Sequence, residues 1–167
     1  MSKFDEMCSA YTNARNEWQK YRDLCFQYLG ILAGGFIAYC GIPESYVSFV
    51  PLNEEPVENR VYSLPGATHF DDDGFWSLGL LITLFEKPNV FPHRTVLIPL
   101  FLKEEGRKVL VRIGRDGNLT EIQIDNESER NRLYDRIVDT VKRYFANGLQ
   151  RAIEKPGALK VGFGPSR

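Results

Sequence analysis

Histidine and cysteine are scarce in this chain: two His and three Cys among 167 residues. With only His69 and His93 available, no Ser-His-Asp or Cys-His arrangement can be assembled from distinctive neighbours. The cysteines Cys8, Cys25 and Cys40 are odd in number, well separated and free of any CxxC spacing. That excludes a disulfide framework and a zinc knuckle, and it fits a reducing, cytoplasmic setting in which the thiols behave as small apolar side chains. A Walker A motif and a GxGxxG fingerprint are also missing. The tail glycines Gly162 and Gly164 follow no strand-to-helix pattern, so they make no phosphate loop. Excess charge of either sign is absent too. The formal net charge is −1 and the pI about 6.2, which argues against a basic nucleic-acid binder. The first eighteen residues carry acids and amides with no apolar run behind a basic start, so they do not read as a signal peptide. No motif singles out a family.

What is present is a core-forming composition: 43% hydrophobic, 26% charged and 13% aromatic. One domain over residues 1–167 is expected. Its segments read as an N-terminal helix (1–34), a β-rich region (36–125), a C-terminal helix (126–155) and a Gly-rich tail (156–167). In the first helix Phe4, Met7, Cys8, Tyr11, Trp18, Tyr21, Cys25, Tyr28, Leu29 and Leu32 fall at spacings of three and four. Ser2 is its N-cap, and Gly34-Gly35 marks its end. A helix of this length is expected to pack along the whole domain. Residues 36–42 then read as an apolar strand, 46–52 as another, and 60–64 as a third, short one.

The strongest pattern is a β-meander from Gly74 to Asp125. Trp76, Leu78, Leu80, Ile82 and Leu84 share one face of a strand. Val96, Ile98, Leu100 and Leu102 do so on the next, Val109, Val111 and Ile113 on the third, and Thr120, Ile122 and Ile124 on the last. The pairs Glu105-Gly106 and Asp116-Gly117 supply turns. Asn126 followed by Glu129 resembles a capping box ahead of a helix with Leu133, Ile137, Val138, Val141, Tyr144, Phe145, Leu149 and Ile153 on one side. The expected fold is α+β: an antiparallel meander of about four to six strands flanked by a long N-terminal and a C-terminal amphipathic helix.

The second face of that meander is unusually apolar. It carries Phe75, Leu81, Phe85, Leu97, Phe101 and Leu110, with Pro99 among them. A solvated face should be polar there. The expectation is therefore a non-enzymatic interaction or ligand-binding domain acting through this face, by self-association or with another protein. Phe101→Asp separates the cases: it disperses an assembly if the face is intermolecular and unfolds the chain if the face is covered internally. Pro99 cannot donate to a ladder, so it marks either an edge or a bulge.

Other candidates compete with this reading. His69, Asp71 and Asp73 offer ligands for Mg²⁺ or Ca²⁺, the basis of an alternative as a metal-dependent hydrolase. Competing with it is a solvated turn in which the Asp side chains cap backbone N–H groups. Asp73, Glu86 and Lys87 have the residue types of a nuclease site but not its spacing. Arg132, Arg136 and Arg143 lie at helical spacing and could contact an anion, although Asp135 and Asp139 interrupt them. Residues 24–43 carry no charge, so a membrane anchor through residues 24–42 is a further alternative, weakened by four glycines and Gln27. Residues 44–73 hold seven acids against one base, and residues 126–167 nine bases against five acids. The chain thus has an acidic and a basic end.

Overall fold

The computed structural model describes residues 1–88, 90–106 and 108–148. Helix α1 spans Lys3–Cys40 and is followed by a single 3₁₀ turn at Glu44–Tyr46. Then come β1 (Val47–Val50), a one-turn helix α2 (Leu64–Ala67), β2 (His69–Phe70), β3 (Trp76–Lys87), β4 (Val90–Glu105), β5 (Lys108–Ile113), β6 (Thr120–Ile122) and α3 (Glu127–Ala146). The strands form one six-stranded antiparallel sheet in the order β1-β3-β4-β5-β6. Strand β2 lies on the same edge of β3 as β1: β2 pairs with Trp76 and Ser77, and β1 with Gly79 to Ile82. The α+β arrangement expected from the alternating strands and two amphipathic helices is what the chain adopts.

The core lies between one face of the sheet and the two long helices. Trp76, Leu78, Leu80, Ile82, Val96, Ile98, Leu100, Leu102, Val109 and Val111 face Cys25, Leu29, Leu32, Ala33 and Phe36 from α1 and Leu133, Tyr134 and Ile137 from α3. These are the inward positions that alternation assigns, because a two-residue period puts every second side chain on one face. On α3, Asn126 Oδ1 accepts from the backbone N–H of Glu129 at 3.2 Å. The Glu129 carboxylate reaches back past the cap and accepts from the N–H of Gln123 at 2.6 Å, so the expected capping box closes one turn earlier. Phe145, assigned to the buried stripe, is 40% exposed. The expected continuation of this helix to 155, with Leu149 and Ile153, lies outside the described residues.

Three expected elements differ. Helix α1 does not stop at Gly34-Gly35: it runs through both to Cys40, for 38 residues, and absorbs the segment expected to be a strand at 36–42. Its end is Gly41, at φ 65°, where the N–H groups of Gly41 and Ile42 bond the carbonyls of Ala38 and Ile37. Two glycines inside a helix cost about 1 kcal/mol each relative to alanine. Burial of Ala33 and Phe36 on the core offsets that. Gly35 has a steric reason as well, since a Cβ there would run into the Tyr134 hydroxyl and come within 3.3 Å of its Cζ. The expected strand at 60–64 is irregular, and its Pro65-Gly66 signal sits inside α2, capped by the Ser63 hydroxyl. Of the two roles expected for Pro99, it takes that of an edge and not of a bulge. It pairs in register with Gly79, and its carbonyl accepts from Gly114 N–H, where the chain leaves β5. A missing N–H beside the departure point of β5 breaks no ladder bond. The register shift in this sheet occurs at Phe85/Lys87 instead.

The helices run the same way along the sheet. Tyr21 and Cys25 on α1 lie beside Glu104, and Glu129 on α3 lies close to Lys108, at the same end of the hairpin. Further along, Tyr134 packs on Phe36 and Tyr39. Helix α3 therefore ends at the far side of the fold from the point where α1 first meets the sheet.

Candidate functional site

The second sheet face is less open than its composition suggests. Phe101 is 1% exposed and Phe75 8%, so neither presents a binding surface. Their cover is the guanidinium of Arg112, two residues beyond Leu110 on β5. It lies 4.5 Å from the Phe101 ring centroid and 4.9 Å from that of Phe75, and Asp73 holds it at 3.3 Å. A cation lying over two aromatic rings is attracted by their quadrupoles and shields them from water. Leu81, Phe85, Leu97 and Leu110 are half-buried. Phe85 is flanked by Tyr46 at 4.8 Å and His93 at 5.8 Å. The open apolar face expected from Phe75, Leu81, Phe85, Leu97, Phe101 and Leu110 is thus corrected to two buried rings and four side chains only partly in water.

The acidic turn does not assemble the expected ligand set. His69 Nε2 is 4.0 Å from Asp71 Oδ1, and Asp71 also accepts from the Ser77 hydroxyl at 3.2 Å. Asp73 points away: one oxygen accepts from Phe75 N–H at 3.2 Å and the other pairs with Arg112. The turn closes through Asp71 N–H to Phe75 O and Gly74 N–H to Asp71 O, with Gly74 at φ 84°. Its carboxylates serve the turn and the Arg112 cover, as Asp side chains commonly do in turns. Among the described residues no group of three His, Cys, Asp or Glu is placed to hold a metal ion. On α3, Arg136 donates to the Thr120 hydroxyl at 2.9 Å and Arg143 to the Asp139 carbonyl at 3.4 Å, while Arg132 is exposed. Two of the three residues expected to contact an anion are thus engaged within the chain.

Exposed apolar surface is concentrated elsewhere, on the first four turns of α1. Every residue from Met1 to Trp18 is exposed. Phe4 is 68% exposed, Met7 63% and Tyr11 68%, in line on one face of the helix. Sequence reasoning placed these residues in a helix packed along the whole domain, and the structure corrects that: the helix meets the sheet only from Trp18 onward. Trp18, itself 44% exposed, packs edge-on to Phe70 at 5.0 Å and stacks on Trp76 at 5.8 Å. Tyr21, Phe26 and Phe70 complete the aromatic cluster around Trp76. A signal for the bare half was present. Residues 24–43 are apolar all round, whereas residues 3–17 are apolar only along a narrow seam, with Lys3, Asp5, Glu6, Arg15 and Glu17 beside it. A narrow seam is the pattern of a helix that pairs with another helix. Helix α1 is also long and apolar enough to cross a membrane by length and composition, yet its apolar window supplies Cys25, Leu29, Leu32, Ala33 and Phe36 to the core.

Searches of protein-family models, of curated proteins and of solved structures each found no match to the chain.

Where the seam enters the fold, burial perturbs two groups. The Cys25 thiol is pushed up from 9.0 to about 11 and the Tyr21 phenol from 10.0 to about 12, burial being the largest cause in both. Both groups are neutral when protonated, and each folded pKa lies above its unfolded value. Their contribution to stability is complete below about pH 9 and is lost as pH rises through the folded values. Cys25 is fully buried, so its share is about 3 kcal/mol across the window between pH 9 and 11. Urea midpoints measured from pH 8 to 11 should fall steeply in the upper half of that range, and Cys25→Ala should flatten the fall.

Proposed function

We propose that this chain is a non-enzymatic interaction domain whose contact surface is the exposed seam Phe4, Met7, Tyr11 on the projecting half of α1. The observation that carries this reading is the exposure of three large apolar side chains in line on a helix whose continuation, on the same face, is core. Burying each would contribute about 1.5–3 kcal/mol, which is the driving force available to a partner. The surrounding polar positions keep the seam narrow, so it suits a helix lying alongside it better than a broad surface. The sheet and α3 act as the base that holds the projecting helix, and the Trp18–Trp76 stack fixes its direction.

Cys8 and Cys40 are exposed and Cys25 is buried, which provides an internal test. In unfractionated extract of cells that make the chain from its own gene, Cys8 should be alkylated several-fold more slowly than in the Met7→Glu/Tyr11→Glu variant. Cys40 should react alike in both. Equal Cys8 rates would overturn the reading.

A further inference from the structure

We infer that the seam's partner is a second copy of this chain, its α1 running antiparallel over residues 3–17 of the first; this rests on the reading of the seam just given. The sequence of α1 repeats in heptads. Phe4, Tyr11, Trp18, Cys25 and Leu32 recur every seven residues, and Met7, Ala14, Tyr21 and Tyr28 recur between them. Such a repeat sustained over four heptads is the pattern of a two-helix seam. From Trp18 onward that seam is occupied by the chain's own sheet, through Trp76 and the core. Before Trp18 it is bare.

That boundary selects the direction. In a parallel pair both copies would present the same end of the seam, and their two sheets, which sit on the seam from Trp18 onward, would collide. In an antiparallel pair overlapping over residues 3–17, each folded body lies just past the start of the other copy's α1. The bare length then equals the paired length.

Side-chain volumes and charges select one register. Antiparallel helices place each first-set position against a second-set position of the partner. Setting Phe4 against the partner's Ala14 and Met7 against the partner's Tyr11 uses all four bare seam positions on each copy, and it puts the largest side chain of one end against the smallest of the other. The same register brings Lys3 beside the partner's Glu17 at both ends, sets Ala10 against its own copy on one flank and Cys8 against its own copy on the other. Sliding by one heptad either way faces Lys3 with Leu24 or Ala10 and loses both charge pairs. In the free chain Lys3 pairs with Glu6 and Glu17 with Lys20, in exposed i,i+3 contacts that exchange at little cost. Two heptads make a small interface, so the pair is reversible.

The experiment is sedimentation of the purified full chain over a wide concentration range. The mass is expected to rise from 19.2 kDa toward twice that value. Met7→Glu/Tyr11→Glu should abolish the rise while leaving the melting temperature unchanged. Lys3→Glu and Glu17→Lys should each weaken self-association roughly five-fold, and an equimolar mixture of the two should form the heterodimer with wild-type affinity, because each copy then faces opposite charges at both ends. A short bis-maleimide should join Cys8 to Cys8 in the Cys40→Ser background. A mass fixed at 19.2 kDa overturns the inference. If residues 7–15 nevertheless show protected amides at every concentration, the cover comes from within the chain. If the monomer floats with lipid vesicles, the cover is a lipid surface. A dimer unaffected by the seam and charge variants overturns the inference as well. The Cys8 labelling in extract decides separately whether the seam meets a different protein, so the two readings fail independently.

Discussion

Phe101→Asp is expected to leave the chain unfolded at room temperature, with the loss of its cooperative urea transition and no folded species of altered mass. Phe101 is among the largest fully buried side chains described, so the substitution removes an aromatic ring from a closed site and puts a carboxylate there. The ring alone is worth about 3–5 kcal/mol in such a position. Burying the carboxylate adds to this, because the cation nearest the Phe101 ring, among the described residues, is Arg112, which is already shared between Asp73 and the Phe75 ring. The sum exceeds about 5 kcal/mol, the lower end of a domain's whole stability. Circular dichroism and sedimentation of the purified variant check this. A folded variant whose only defect is a smaller assembly would return the sheet face to the role of an interface.

Gly34→Ala and Gly35→Ala, neighbours in one helix, are expected to change stability in opposite directions. At Gly34 a Cβ meets nothing within 4 Å, so alanine gains helix propensity and should stabilise by about 1 kcal/mol. At Gly35 the new methyl collides with the Tyr134 hydroxyl, on a ring that is 2% exposed and held between Phe36 and Tyr39. Overpacking of this kind costs about 1–3 kcal/mol, more than the propensity gain returns. Tyr134→Phe in the same chain removes the colliding oxygen and should recover most of the loss. Urea midpoints of the three variants and the double variant measure it. A Gly35→Ala chain as stable as Gly34→Ala would mean that α1 and α3 do not cross there.

The two glycines also show why some of the fold was legible in sequence and some was not. The meander was, because a two-residue period survives whatever packs on it: the inward residues Trp76 to Ile82, Val96 to Leu102, Val109 and Val111 are buried, and Leu84, toward the end of β3, is 37% exposed. The extent of α1 was not. Gly34-Gly35 carries the chemistry of a helix stop, and what overrides it is the burial of Ala33 and Phe36 against a sheet and a helix that come later in the chain, while Tyr134, about a hundred residues away, requires the glycine at 35. The covered sheet face failed for the same kind of reason. Arg112 reads as a polar, outward residue, and nothing local shows that its guanidinium lies over Phe75 and Phe101. The acidic turn was legible in part in its bland form: the Asp73 carboxylate caps the Phe75 amide, whereas that of Asp71 accepts from the Ser77 hydroxyl. The seam of α1 was legible as a stripe. The narrowing of that stripe before Trp18 signals its desertion by the core, but where the boundary falls depends on where the sheet ends.

The position of α1 ahead of the strands has a consequence for biosynthesis. It is translated before the strands that sheathe its inner half, β3 to β5, which end at Ile113. At about 5–20 residues per second the nascent helix waits on the order of ten seconds with its entire length uncovered. Two nascent chains on neighbouring ribosomes could meet through that length before either has a sheet, so the order of synthesis makes the outer half of the helix, which never acquires a cover from its own strands, the part that stays available afterwards.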